Sequence, residues 1–98
     1  MNKEDLKRAA ERVLEPLREL GYDELRRRAI DRTVDVHEIA ELDSVLSAEI
    51  QYFFDSGRRS DQMGPIRVSV GISDGGWRDF SPVVSSFIKA ADGTFIDE

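Results

Sequence analysis

The stretch Ile66-Arg67-Val68-Ser69-Val70-Gly71-Ile72-Ser73 (residues 66–73) decides the fold. Aliphatic residues alternate in it with small or polar residues, which is typical of a β-strand with one buried and one solvent-facing side. A strand of this kind needs neighbouring strands and a layer that covers its apolar face. We therefore look along the rest of the chain for further strands and for an amphipathic element that packs on them.

The N-terminal segment supplies a covering helix. Apolar residues recur at helical spacing and form one stripe: Leu6, Ala10, Val13, Leu17 and Leu20. Pro16 removes a helical hydrogen bond, but the stripe keeps its phase beyond it, so we expect one helix kinked near Pro16. Gly21 is placed to end this helix. Glu11 and Arg18, seven residues apart, are predicted to be too distant to pair.

A short second helix is predicted from Tyr22 to about Ala29. Asp23 is its candidate N-cap, and Leu25 and Ala29 are expected to face inward. The arginine run at 26–28 is interpreted as a solvated helix end, where cations complement the negative end of the helix dipole.

Residues 33–55 fit two patterns. A helical spacing is matched by Ile39, Leu42, Leu46, Ile50 and Phe53. Against a helix, apolar and polar residues alternate from Leu46 onward, and residues 50–54 are rich in strand-forming types. We predict two strands, about 33–39 and 46–55, and a helix over 36–55 is the alternative.

The remaining segments continue the run of strands. Residues 56–65 are polar and glycine-containing and predict a long, mobile hairpin loop, and Asp74-Gly75-Gly76 predicts a turn. Two more strands are expected at 83–90 and 94–96, joined by a reversal at Asp92-Gly93. The prediction is a single α+β domain, residues 1–98, with two helices on a four- to five-stranded antiparallel sheet. This order of elements resembles cystatin-like and nuclear-transport-factor-like architectures.

Charge and composition limit the functions that the chain can have. The chain has 98 residues, no cysteine and a net charge of −6. Residues 1–32 carry nine bases and eight acids, whereas residues 33–98 carry five bases and twelve acids, so the excess lies in the predicted sheet. An acidic chain repels phosphate backbones and attracts basic surfaces, which excludes nucleic acid as the favoured partner. The absence of cysteine and of a secretory or membrane-spanning pattern predicts a cytoplasmic protein. Eleven arginines against three lysines suggest a bacterial origin.

No catalytic, cofactor or metal signature is found. His37 is the only histidine and is predicted to be a half-exposed strand residue, because a catalytic or metal-bound histidine needs partners that the sequence does not indicate. No spacing matches a phosphate-binding loop or a calcium loop. We therefore predict that the protein is not an enzyme.

The strongest candidate binding segment is the stretch that contains Asp74, Trp77, Arg78 and Asp79. Tryptophan and arginine are the residue types that most often anchor protein interfaces. The alternative is that Trp77 folds back and closes the end of the core.

Two further candidates lie earlier in the chain. Phe53 is expected to point away from the helices with Glu49 and Gln51, where it could form a partner or dimer patch. Arg58 and Arg59 could grip an acidic group, or they could simply be the solvated tip of a loop.

These observations favour a protein-interaction module of the inhibitor, immunity-protein or chaperone type, which binds a basic partner through the sheet face and loops. A homodimer is compatible with them. The alternative is a small-ligand-binding or enzymatic domain with a pocket between the helix and a curved sheet.

Overall fold

The computed structural model describes residues 3–41, 44–55, 64–73 and 83–96. Two helices come first, α1 (Lys3–Arg18) and α2 (Tyr22–Ile30). Five strands follow: β1 (Val34–Glu41), β2 (Ser44–Phe54), β3 (Ile66–Ser73), β4 (Val83–Lys89) and β5 (Phe95–Ile96). They form one antiparallel sheet in chain order, β1-β2-β3-β4-β5. The predicted α+β fold is confirmed, and residues 34–41 and 44–54 are strands rather than a helix.

The helices cover one face of this sheet. Helix α1 packs on β3 and β4, and α2 packs on β2 and β3. The largest side chains of the resulting core are almost completely buried: Leu14, Leu25, Leu46, Ile66, Val68, Val70, Ile72 and Phe87. The predicted inward residues of β2 and β3 are therefore confirmed as core, because alternate strand residues point to the same side.

Helix α1 runs without interruption through Pro16, so one helix is formed and not two. Its buried stripe differs from the predicted one. Leu14 and Ala9, which the predicted stripe omitted, are buried, whereas Val13, Leu17 and Leu20 are only partly buried against the core. Helix α1 therefore turns the side that carries Ala9 and Leu14 further toward the sheet than was predicted.

The predicted absence of a Glu11–Arg18 pair is wrong. Both terminal nitrogens of Arg18 lie 3.2 Å from Glu11 Oε2. Side chains of a helix lean toward its N-terminus, and seven residues are nearly two full turns, so the long arginine reaches back along the same face. The Arg18 guanidinium also lies 5.4 Å from the centre of the Phe87 ring.

The junction between the helices also corrects the sequence analysis. Helix α1 ends at Arg18, and Gly21 is the N-cap of α2 with extended backbone angles (φ −66°, ψ 156°). Asp23 therefore lies inside α2 and is not its cap, although its charge still suits the positive end of the helix dipole. Leu25 and Ala29 are buried as predicted.

The C-terminal hairpin is formed as predicted at Asp92-Gly93. Gly93 has a φ of 89°, which a residue without a β-carbon adopts at little cost. Asp92 Oδ1 accepts hydrogen bonds from the side-chain hydroxyl and the backbone N–H of Thr94, and these bonds hold the pKa of Asp92 below its ordinary value. The reversal brings Phe95 opposite Lys89.

Candidate protein-interaction surface

The register of the sheet places one set of side chains on the face opposite the helices, which we call the outer face. Residues directly opposite each other in antiparallel strands point to the same side, so the pairs Val36–Glu49, Glu49–Gly71 and Gly71–Val84 form one row across four strands. A neighbouring row contains Val34, Gln51, Ser69 and Ser86. The outer face therefore spans β1 to β4 without a covering helix.

Several large apolar side chains are exposed on the outer face. Val36 and Val45 are each 64% exposed, Val84 is 58% exposed and Val34 is 53% exposed. Phe53 is 41% exposed and lies opposite Arg67. These residues are spread over β1, β2 and β4, so the apolar surface is not restricted to one strand.

A shallow depression of about 450 Å³ lies in the middle of the outer face. Its described lining residues are Ser47, Glu49, Gln51, Ser69, Gly71, Ser73 and Val84. Most of these residues are small, whereas the valines of β1 and β4 stand on either side of them. We call this depression the trough; Val34 and Val36 of β1 stand on one side of it, and Val84 of β4 forms the other side.

Among the described residues that line the trough, Glu49 carries the charge. Glu49 accepts a hydrogen bond of 2.8 Å from Gln51 Nε2. Glu38 of β1, which lies opposite Ser47, is exposed on the same face. Arg67, at the rim, donates to Asp55 Oδ1 at 2.9 Å and to Ser86 Oγ at 3.0 Å, so its charge is offset locally. Within the described ranges, neither Glu38 nor Glu49 forms a salt bridge.

A separate polar cluster fastens α2 to β1 and β2 on the helix side of the sheet. The Tyr52 hydroxyl donates to Asp35 Oδ2 at 2.7 Å and accepts from Arg28 at 2.8 Å. Arg28 lies within 3.5 Å of Glu24 and 3.7 Å of Asp35. Burial and the hydrogen bond to Asp35 raise the pKa of Tyr52 to about 12, with Arg28 opposing them. The Tyr52 hydroxyl therefore ties α2 to β1 and β2.

The structure describes some of the predicted site residues. Phe53 is exposed on the same side as Glu49 and Gln51, as predicted, and His37 lies in β1 opposite Ala48 and is exposed. The other predicted site residues lie outside the described ranges: Arg58, Arg59, Asp74, Trp77, Arg78 and Asp79. Whether Trp77 belongs to the core or to an interface stays a prediction.

Sequence reasoning missed the valines of the outer face. The strand pattern of β1 could have identified Val34 and Val36 as residues of one side. Their exposure, however, follows from the lack of a covering helix on the outer face, and the pattern of one strand does not show which face the helices cover.

Three findings describe the wider character of the chain. In the ranges that the structure describes, no group of three or more histidine, cysteine or acidic side chains is arranged to hold a metal ion. No helix in the same ranges is long and apolar enough to cross a membrane. Comparisons with family models, with curated proteins and with solved structures find no match to this chain.

Proposed function

We propose that this protein is a protein-interaction module that binds a basic partner through the outer face of its sheet. The observation that carries the proposal is the trough lined by Glu49, which lies between the exposed Val34 and Val36 of β1 and the exposed Val84 of β4. The exposed valines supply area to bury, and the carboxylates of Glu38 and Glu49 supply preference for a positively charged partner.

The composition of the outer face supports this proposal. A covering layer of aliphatic side chains would exclude water around Glu49 and strengthen its attraction to a lysine or arginine of the partner. The net charge of −6 acts in the same direction at long range, since it steers basic molecules toward the chain. We place this activity in a bacterial cytoplasm, because the chain lacks cysteine and is rich in arginine.

The helix side of the sheet supports this function over a ligand pocket between helix and sheet. The centre of that interface is filled by buried apolar side chains, and three of the largest, Leu14, Leu25 and Val68, are essentially unexposed. A substrate in that position would have to displace core residues.

Two arginines of the run at 26–28 are engaged with neighbouring groups, which supports a partner other than nucleic acid. Arg27 contacts Glu24 at 2.6 Å, and Arg28 contacts Tyr52 and Asp35. Their charges are therefore partly offset where a phosphate would have to bind.

Selection of a random-peptide display library on the immobilised chain tests the proposal. We expect the enriched peptides to combine lysine or arginine with aliphatic residues. Glu49→Lys should weaken binding of these peptides by at least about tenfold, since it replaces an attraction inside the trough by a repulsion.

Glu15→Lys is the matched control, because it makes the same charge change at an exposed position of α1. It should leave peptide binding nearly unchanged. Enrichment of acidic peptides, or equal losses in the two variants, would overturn the proposal.

A further inference from the structure

Strand β1 is an edge strand whose outer face is open and whose helix-side face is only partly covered. On the outer face Val34 and Val36 are 53% and 64% exposed. On the opposite face His37 is exposed, and the Asp35 side chain is 34% exposed although it accepts from Tyr52 and lies 3.7 Å from Arg28 of α2. An edge strand with exposed aliphatic residues is a template for pairing with another strand.

Symmetry restricts how two copies of β1 can pair. A two-fold axis perpendicular to the sheet makes the strands antiparallel and keeps the outer faces on the same side. Residues that lie directly opposite each other then belong to the same face. This requires that the axis pass through one residue of β1, which lies opposite the same residue of the other copy. Four central residues are available in the middle of the strand: Asp35, Val36, His37 and Glu38.

The charges of β1 select one of these four registers. An axis through Asp35 or through Glu38 places two carboxylates directly opposite each other, which is destabilising. An axis through His37 places two imidazoles together and sets Asp35 against the apolar Ile39. An axis through Val36 places Val36 against Val36 and Asp35 against His37 of the other copy.

We propose that the protein forms a symmetric homodimer in which the β1 strands pair antiparallel about Val36, so that the two sheets become one. In this register the Asp35 carboxylate lies opposite a histidine and not opposite another carboxylate, and the His37 imidazole can donate a hydrogen bond to it beside the one that Asp35 receives from Tyr52. The outer faces of the two copies join side by side. The dimer is independent of the basic partner proposed above, although it doubles the surface that such a partner meets.

The interface is small, so the dimer is expected to be weak and concentration-dependent. A pairing of about seven residues per strand buries less than the roughly 1,200 Å² of total surface at the lower limit for stable complexes. Sedimentation velocity over a wide range of protein concentration should show a monomer–dimer equilibrium. Val36→Lys, which brings two ammonium groups together at the axis, should raise the dimer dissociation constant by at least about tenfold.

Val84→Lys is the matched control, since Val84 is a comparably exposed valine of the outer face on β4. It should not change the dissociation constant. His37→Asp, which sets two carboxylates opposite each other in each half of the interface, should weaken the dimer, whereas His37→Lys should retain it.

Disulfide trapping tests the register itself. The chain has no cysteine, so Val36→Cys introduces a single thiol, which the two-fold axis brings next to its own copy. Under mild oxidation Val36→Cys should form covalent dimers much faster than Val84→Cys. A protein that is monomeric at every concentration, a dimer insensitive to Val36→Lys, or equal trapping rates for the two cysteine variants would overturn the proposal.

Discussion

Tyr52 joins three elements through one hydroxyl group. It belongs to β2, donates to Asp35 of β1 and accepts from Arg28 of α2. Arg28 also stacks over the Tyr52 ring, with 5.2 Å between the guanidinium carbon and the ring centre. The hydroxyl therefore links the edge strand to the helical layer, and its loss leaves Arg28 and Asp35 without the group that lies between them.

Tyr52→Phe is expected to lower the free energy of unfolding by about 1 kcal/mol at neutral pH, because it removes two hydrogen bonds and keeps the ring. The difference should change in alkali. The unfolded tyrosine ionises near its ordinary pKa of about 10, whereas the pKa of folded Tyr52 is about 12, so wild-type stability falls as the pH rises through this window. Urea titrations from pH 8 to about 12 should show this fall in wild type and a shallower one in Tyr52→Phe. Parallel pH profiles of the two proteins would contradict the assignment.

The end of α1 is held by a buried cation from β4. Lys89 is only 8% exposed, and its Nζ donates to the carbonyl oxygens of Arg18 at 3.0 Å and of Leu20 at 2.8 Å. The last carbonyls of a helix have no partner within the helix and carry its negative dipole, so a buried ammonium both satisfies and neutralises them. Nζ also lies 5.1 Å from the centre of the Phe95 ring.

Lys89→Met is expected to lower the free energy of unfolding by about 1–3 kcal/mol, because it removes the charged donor from two part-buried carbonyls while keeping a side chain of similar length. Hydrogen exchange should show faster exchange in the last turn of α1. Lys7→Met, at an exposed position of α1, is the control and should change neither quantity. A Lys89→Met protein with wild-type stability would show that this contact does not hold the helix.

The same elements show how far the sequence predicts this fold. The five strand segments were predicted from period-two alternation and turn residues, because burial of one face of a sheet imposes that period directly, although residues 36–55 also fitted a helical spacing. The end of α1 does not follow: Gly21 and Asp23 have the chemistry of a helix stop and a cap, yet the chain uses Gly21 as the N-cap of α2. The partner that replaces a glycine stop is Lys89, 71 residues from Arg18, and no local pattern reveals a contact of that length.

The candidate surface was predicted only in part, for the same reason. Phe53 and Glu49 were assigned to the outward side of β2 by alternation alone, and the structure confirms both. The positions of Val36 and Val84 on either side of the trough depend on which strands lie beside β2 and β3, and hence on the topology of the sheet. Sequence periodicity gives the side of a strand that a residue occupies, whereas the surface depends on its neighbours across the sheet.

The whole molecule is asymmetric about its sheet. Two helices cover one face of the sheet, and the other face is open, although both faces carry valines. Val68 of β3 is completely buried beneath the helices, whereas Val84 of β4 is 58% exposed on the outer face. Equivalent residue types therefore have opposite roles, with the inner valines stabilising the fold and the outer ones available to a partner.

This asymmetry predicts opposite outcomes for one substitution at two valines. Val68→Asp places a carboxylate without a partner in the core, which costs about 3–5 kcal/mol, and it also loses about 1.5–3 kcal/mol of apolar burial. A domain of this size is stabilised by about 5–15 kcal/mol in total, so Val68→Asp should be largely unfolded. Val84→Asp adds a charge to a solvent-exposed position and should retain a cooperative thermal transition within a few degrees of wild type. Circular dichroism melting of the two variants separates these outcomes. A folded Val68→Asp protein would show that Val68 does not face the core. An unfolded Val84→Asp protein would show that the outer face is covered.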